Sequence, residues 1–243
     1  MEKVINDLVG YKNLKIVQVN EYFNFSLDSV LLANFVNIND KTKNILDLGT
    51  GNAPIPLILS TKTKEKIIGV EIQKEIYNLA VESVSINKLD NQIKILNIDI
   101  KDLLSYYKCE SFGLILSNPP YFKKIDTSIL NKNKVKTNAR HETLINLEDI
   151  ISISSKLLVN KGTFALVHRT ERLAEIIEIL RKYRLEPKRI RFVFSKKDSE
   201  SNLVLIEAKK NTNIGVKVLS PLIVHDENSN YTKEILKMFE RGD

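Results

Sequence analysis

The sequence predicts an α/β fold, a doubly wound and mostly parallel seven-stranded sheet closed by an antiparallel pair. Three observations carry that expectation. From Asn44 onward, short apolar runs alternate with helix-length stretches, the order that covers a parallel sheet on both faces. One run, Asn44–Leu48, flows directly into a glycine turn, Gly49-Thr50-Gly51. Another, Phe112–Leu116, is closed abruptly by Ser117-Asn118-Pro119-Pro120-Tyr121-Phe122.

The elements follow in order. Leu14–Val19 alternates enough for a short strand, with Tyr22–Phe25 as the expected hairpin partner. Ser26 is a natural N-cap and Asp28 an acidic first-turn residue for a helix over 26–36. This preface is too small for a core of its own, so residues 1–40 read as an N-terminal hairpin and helix extension of a single domain over 41–243. Strands are predicted at 44–48, 67–71, 93–97 and 112–117, and helices at 53–60 and 73–88, with a short irregular helix at 100–107. Residues 123–146 are polar and read as a long loop, before a helix (Leu147–Leu158), a strand (Gly162–His168) and an amphipathic helix (Arg172–Tyr183). Arg189–Phe194 and Leu203–Ala208 form the closing antiparallel pair, and a short helix over Tyr231–Phe239 ends the chain.

Composition narrows the class. A hydrophobic share of 43% beside 28% charged residues is that of an ordinary soluble globular protein, and no run approaches the length of a membrane span. Met1–Asp7 lacks the layout of a signal peptide, so the expected setting is the cytoplasm. The single Cys109 rules out an intrachain disulfide and a cysteine-based zinc cluster. His141, His168 and His225 have no metal-ligand spacing, so no metal is expected. A monomer is the default expectation. A net charge of +7 favours an anionic partner, although a sequence rich in Lys, Asn and Ile reaches that value by composition alone.

Asp47-x-Gly49-x-Gly51-x-Ala53 places two glycines where the backbone turns tightly and approaches a ligand, ahead of a helix N-terminus with free N–H groups. A dinucleotide-binding turn would carry a third glycine at 54, where Pro54 stands, so NAD is disfavoured. S-adenosylmethionine has no pyrophosphate to seat, and Asp47 would face its ammonium. At the end of the next strand, Glu71 is placed to accept from both ribose hydroxyls, with Ile72 beside it as a further cofactor-binding candidate. After the third strand, Asp99 can take the adenine amino group. A lone strand-end carboxylate is often merely solvated; three after successive strands of one sheet point to a cofactor site.

In the proline turn, two fixed φ angles and two missing N–H groups hold the Asn118 amide and the Pro119 carbonyl out from the strand end. Tyr121 follows as a planar wall. Two acceptors and an aromatic face suit a flat, amino-bearing group; the bland alternative is a strand-ending turn with Tyr121 in the core. These motifs resemble the class I S-adenosylmethionine-dependent methyltransferases, a Rossmann-like fold. The resemblance implies that the glycine turn and Asn118–Tyr121 face each other across one cleft. The proline motif is shared by enzymes acting on adenine N6, on guanine N2 of rRNA and on glutamine N5 of release factors, and does not choose among them.

Other features do. Release-factor enzymes generally carry a sizeable helical domain ahead of the glycine turn, and here only forty-odd residues precede it. Lys123, Lys124, Lys132, Lys134, Lys136 and Arg140 face a single acid, Asp126, in the loop after the proline turn, which suits a phosphate backbone. Phe23-Asn24-Phe25-Ser26-Leu27-Asp28-Ser29-Val30-Leu31-Leu32 is similar to the entry segment of the bacterial tRNA1(Val) adenine-N6 methyltransferases. Ala139–Glu142, Phe164–Leu173, Leu203–Lys209 and Tyr231-Thr232 extend the likeness over nearly the whole chain. It implies tRNA as partner and methylation of the adenine 3′ to the anticodon, with Asn118, Pro119, Pro120 and Tyr121 at the reacting amine, and Phe122, Lys123, Lys124 and Arg140 on the RNA. A rival from another class is a non-catalytic RNA-binding protein on this scaffold; the intact Asp47, Gly49, Gly51, Glu71 and Asn118–Tyr121 speak against it.

Overall fold

The computed structural model describes residues 3–19, 27–39, 42–120 and 146–240. In chain order, a hairpin of β1 (Lys3–Leu8) and β2 (Tyr11–Val19) precedes helix α1 (Leu27–Phe35). Alternation begins with β3 (Ile45–Leu48), α2 (Pro54–Ser60), β4 (Ile67–Val70), α3 (Lys74–Ile86) and β5 (Ile93–Leu96). A single-turn α4 (Leu103–Tyr106) leads to β6 (Phe112–Ser117). From Leu147 onward come α5 (Leu147–Leu157), β7 (Leu158–Arg169), α6 (Leu173–Lys182), β8 (Leu185–Phe194) and β9 (Ser201–Lys210). Two-residue strands β10 (Lys217–Val218) and β11 (Leu222–Ile223) and helix α7 (Lys233–Glu240) finish the described chain.

The sheet order is β10-β8-β9-β7-β6-β3-β4-β5, with β11 also pairing β8. The chain winds outward from β3 through β4 to β5, then returns to place β6 on the other side of β3. All pairs from β5 to β7 are parallel; β9 alone runs antiparallel, between β7 and β8. The sheet thus holds nine strands where seven are read from sequence, because strands of two residues leave no periodicity to detect.

Neighbouring residues of β3 enter opposite cores, as the two-residue period of a strand requires. Ile45 joins Val30, Leu31, Leu57 and Leu205 on the α1/α2 face, whereas Leu46 and Leu48 join Ile151, Leu157 and Leu180 on the α5/α6 face.

The partner of β2 is β1, in a register that sets Ile5 against Val17. The expected partner, residues 22–25, lies outside the described residues. The hairpin is stitched to α3. Val17 N–H donates to Ser83 Oγ at 2.9 Å, Asn87 Nδ2 donates to the Lys15 carbonyl at 2.7 Å, and Lys3 pairs with Glu82. Gly10, in the hairpin turn at φ 81°, is obligatory: a Cβ there would come within 2.2 Å of the Phe239 ring of α7.

Candidate active site

The site grows from the C-terminal ends of β3, β4 and β6. Leu48 of β3 pairs with Val70 of β4 and with Ser117 of β6, so the glycine turn, Glu71 and the proline turn leave the sheet side by side. Winding reverses between β3 and β6, and ligands of open α/β sheets bind in the crevice at such a point. A cleft open to solvent lies there, with Gly49, Glu71, Ile72, Ser117, Pro119 and Pro120 on its walls.

The glycine turn takes left-handed backbone at Gly49 (φ 73°), Gly51 (φ 58°) and Ala53 (φ 73°). A Cβ built on Gly49 or Gly51 meets nothing within 4 Å, so both glycines border open space that a ligand can enter. The turn is held from three sides. Gly49 N–H and Thr50 N–H donate to the Val70 carbonyl at 3.0 and 2.9 Å. Gly51 N–H donates to Glu71 Oε2 at 3.1 Å. Asn52 Nδ2 donates to the Val17 carbonyl at 3.0 Å, which ties the turn to the hairpin.

Asp47 is fully buried. Its Oδ2 accepts from Thr50 Oγ1 at 2.6 Å, whereas Oδ1 has no hydrogen-bond partner among the described residues. Burial pushes its pKa up to about 7, against the opposing Thr50 hydrogen bond and with a smaller contribution from the Glu71 charge. A buried carboxylate with an unmatched oxygen fits a cationic ligand group. Glu71 is 6% exposed and spans two elements, since its Oε1 also accepts from Gln73 N–H at 2.9 Å. Burial raises its pKa, and the backbone donors at Gln73 and Gly51 oppose that rise. Hydrogen bonds from the Ile72 backbone and the Gln73 side chain oppose it as well. The segment after β4 is pinned by Asn97, whose Nδ2 donates to the Glu71 and Ile72 carbonyls at 2.8 and 2.9 Å.

Asp99 is half-buried and caps the turn Ile100–Asp102, accepting from Lys101 N–H at 2.9 Å. Its neighbour Ile100 lines the cleft instead, as does Ile150 of α5. Ser117 is buried and donates to the Leu48 carbonyl at 2.9 Å, locking the two strand ends together. Asn118, between Ser117 and Pro119, donates through Nδ2 to Ser29 Oγ of α1 at 3.0 Å. Tyr121, Phe122, Lys123, Lys124 and Arg140 lie outside the described residues, as does Ser26. His168 is a core residue: its Nδ1 accepts from Arg169 N–H at 2.8 Å, and burial lowers its pKa to about 4.

Reading the sequence alone missed Ser29, Asn52 and Asn97. Asn97 stands one residue after β5, where a side-chain amide at a strand end is a usable signal; the other two act through partners distant in sequence.

Residues 25–192, more than half of the chain, match the family described as the methyltransferase small domain. The chain belongs to the methyltransferase small domain family. Among curated relatives of this methyltransferase is the tRNA1(Val) (adenine(37)-N6)-methyltransferase of Porphyromonas gingivalis, 28% identical over 96% of this chain and 94% of the relative. The protein of that name from Trichodesmium erythraeum is 30% identical over 76% of this chain and 83% of the relative. The resemblance read from the sequence therefore spans nearly the full length. A predicted O-methyltransferase from Agrobacterium tumefaciens shares the fold, with a TM-score of 0.70 at 21% identity, over 88% of this chain and 96% of that one.

Proposed function

We propose that the chain transfers a methyl group from S-adenosylmethionine to the N6 amine of adenine 37 in tRNA1(Val). The observation that carries the reading is the shared cleft. Its walls bring Gly49 of the glycine turn and Glu71 at the end of β4 against Pro119 and Pro120 of the proline turn. The curated relatives bear the name of that reaction.

The residues present fit the cofactor. Asp47, buried with an unmatched oxygen, would hold the ammonium; Gly49 and Gly51 would give the backbone approach; Glu71 and the Ile72 wall would hold ribose and adenine, with Asp99 at the adenine edge. When bound, S-adenosylmethionine supplies the electrophilic methyl group.

The chain's own groups do the rest. The N6 lone pair of adenine is delocalised into the ring and a weak nucleophile. Asn118 Oδ1 and the Pro119 carbonyl accept from the two N–H groups, draw the nitrogen toward tetrahedral geometry and aim its lone pair. Two prolines hold those acceptors still, so acceleration comes from positioning and preorganised dipoles. The motif supplies no general base, so the proton that the methylated amine must shed passes to solvent. Adenine 37 must leave its stack to enter; Tyr121 and Phe122 would receive the ring, and Lys123, Lys124 and Arg140 the flanking phosphates.

The test offers unmodified total tRNA and a release factor side by side, with nucleosides and peptides read by mass spectrometry. N6-methyladenosine in tRNA supports the reading. Methylglutamine with unmodified tRNA overturns it.

A further inference from the structure

We propose that Ser29 is a positioning residue for the methyl transfer, holding the Asn118 carboxamide in place beside the substrate amine; this rests on the function proposed above. A carboxamide has a donor end and an acceptor end of nearly equal size. The proposed chemistry tolerates one orientation only, because an NH2 group turned toward the amine would repel its hydrogens. The proline turn fixes the backbone at Asn118 but leaves the terminal amide, whose last torsion is broad and roughly two-fold, to be held by a neighbour. Ser29 is that neighbour. Its Oγ accepts from Asn118 Nδ2 at 3.0 Å, which holds the NH2 end at α1 and places Oδ1 at the opposite edge of the carboxamide.

The geometry works because α1 is itself anchored. Ser29 is only 5% exposed, on a helix flanked by the fully buried Val30, Leu32 and Ala33. At the far end, Lys62 Nζ donates to the Ala33 carbonyl at 2.6 Å and to Asn34 Oδ1 at 2.8 Å. Arg189 reaches the Phe35 carbonyl at 3.4 Å while paired with the buried Glu207 at 2.6 Å. Glu207 in turn accepts from Asn37 N–H at 3.1 Å. Cations at the C-terminal carbonyls suit the helix dipole and hold the rod in place. A helix pinned at one end thus presents a buried hydroxyl to the proline turn at the other.

Wild type, Ser29→Ala and Ser29→Thr are compared in steady-state methylation of unmodified tRNA, with calorimetric binding of S-adenosylhomocysteine and thermal melts alongside. Loss of one neutral hydrogen bond that holds the Asn118 carboxamide predicts a kcat about tenfold lower in Ser29→Ala, equivalent to about 1.4 kcal/mol. The KM for tRNA, the Kd for S-adenosylhomocysteine and the melting temperature stay near wild type, and Ser29→Thr, which keeps the hydroxyl, recovers most of kcat. An unchanged kcat in Ser29→Ala overturns the proposal. So does a loss matched by weaker cofactor binding or lower melting temperature, which marks a merely structural serine. Both outcomes leave the wild-type methylation, and hence the proposed function, standing. A wild type that leaves tRNA unmethylated overturns the two together.

Discussion

Protonation of Asp47 should govern cofactor affinity near neutral pH. Its carboxyl is fully buried and its pKa lies at about 7. An ammonium placed against Oδ1 binds the ionised form, so the apparent Kd is multiplied by 1 + 10^(pKa − pH). That factor is about 30 at pH 5.5 and about 2 at pH 7, a tightening of roughly fifteenfold over the interval. Binding near pH 7 should also release a fraction of a proton. The assay is calorimetric titration with S-adenosylhomocysteine at several pH values, repeated in buffers of different ionisation enthalpy. Asp47→Asn removes the titration: its affinity should be weak and much flatter with pH, leaving the smaller dependence due to Glu71. A pH-independent Kd in the wild type, or an equal slope in Asp47→Asn, would refute the reasoning.

The same shift has a signed consequence for the ligand-free protein. Asp47 has a folded pKa above its unfolded value, so its contribution is full below about pH 4 and is lost as pH rises through about 7. His168, lowered to about 4, acts in the opposite sense, its contribution gained as pH rises from about 4 toward 6.5. Urea titrations of Asp47→Asn should therefore show higher stability than wild type at pH 8 and little difference at pH 4. Arg189→Ala strands Glu207, whose side chain is 5% exposed; a loss of about 3–5 kcal/mol, read as a drop in melting temperature of roughly 6–20 °C, is expected. Asn97→Ala removes two hydrogen bonds from the Glu71–Ile72 backbone and should cost about 1–3 kcal/mol and weaken cofactor binding. Gly10→Ala places a methyl group inside the Phe239 ring contact, and α7 should become more susceptible to limited proteolysis than the sheet.

The parts of the site that were legible in the sequence are those where a residue type answers a local demand. Gly49 and Gly51 were readable because a tight turn with left-handed backbone asks for glycine. Ala53 adopts the same left-handed region, which its identity does not announce. The adjacency of β3 and β6 followed from the reversal of winding that the resemblance implied, and the pairing of Leu48 with Ser117 bears it out. What stayed hidden depends on partners far along the chain. Ser29 lies 89 residues from Asn118, and nothing local marks the contact. β1 was missed because its residues are mostly exposed and carry no alternation, so only its pairing with β2 makes it a strand. Asp99 was legible as a strand-end acid, but its cap on Lys101 shows how such a residue also serves local structure.

The central claim is tested most directly with two tRNA1(Val) transcripts that differ only at nucleotide 37, adenine in one and guanine in the other. Each is incubated with the protein and methyl-labelled S-adenosylmethionine, and the nucleosides are read by mass spectrometry. Label is expected in the adenine transcript alone, as N6-methyladenosine, and is expected to be lost in Asn118→Ala. Equal label in both transcripts, or none in either from a protein that binds the cofactor, would contradict it.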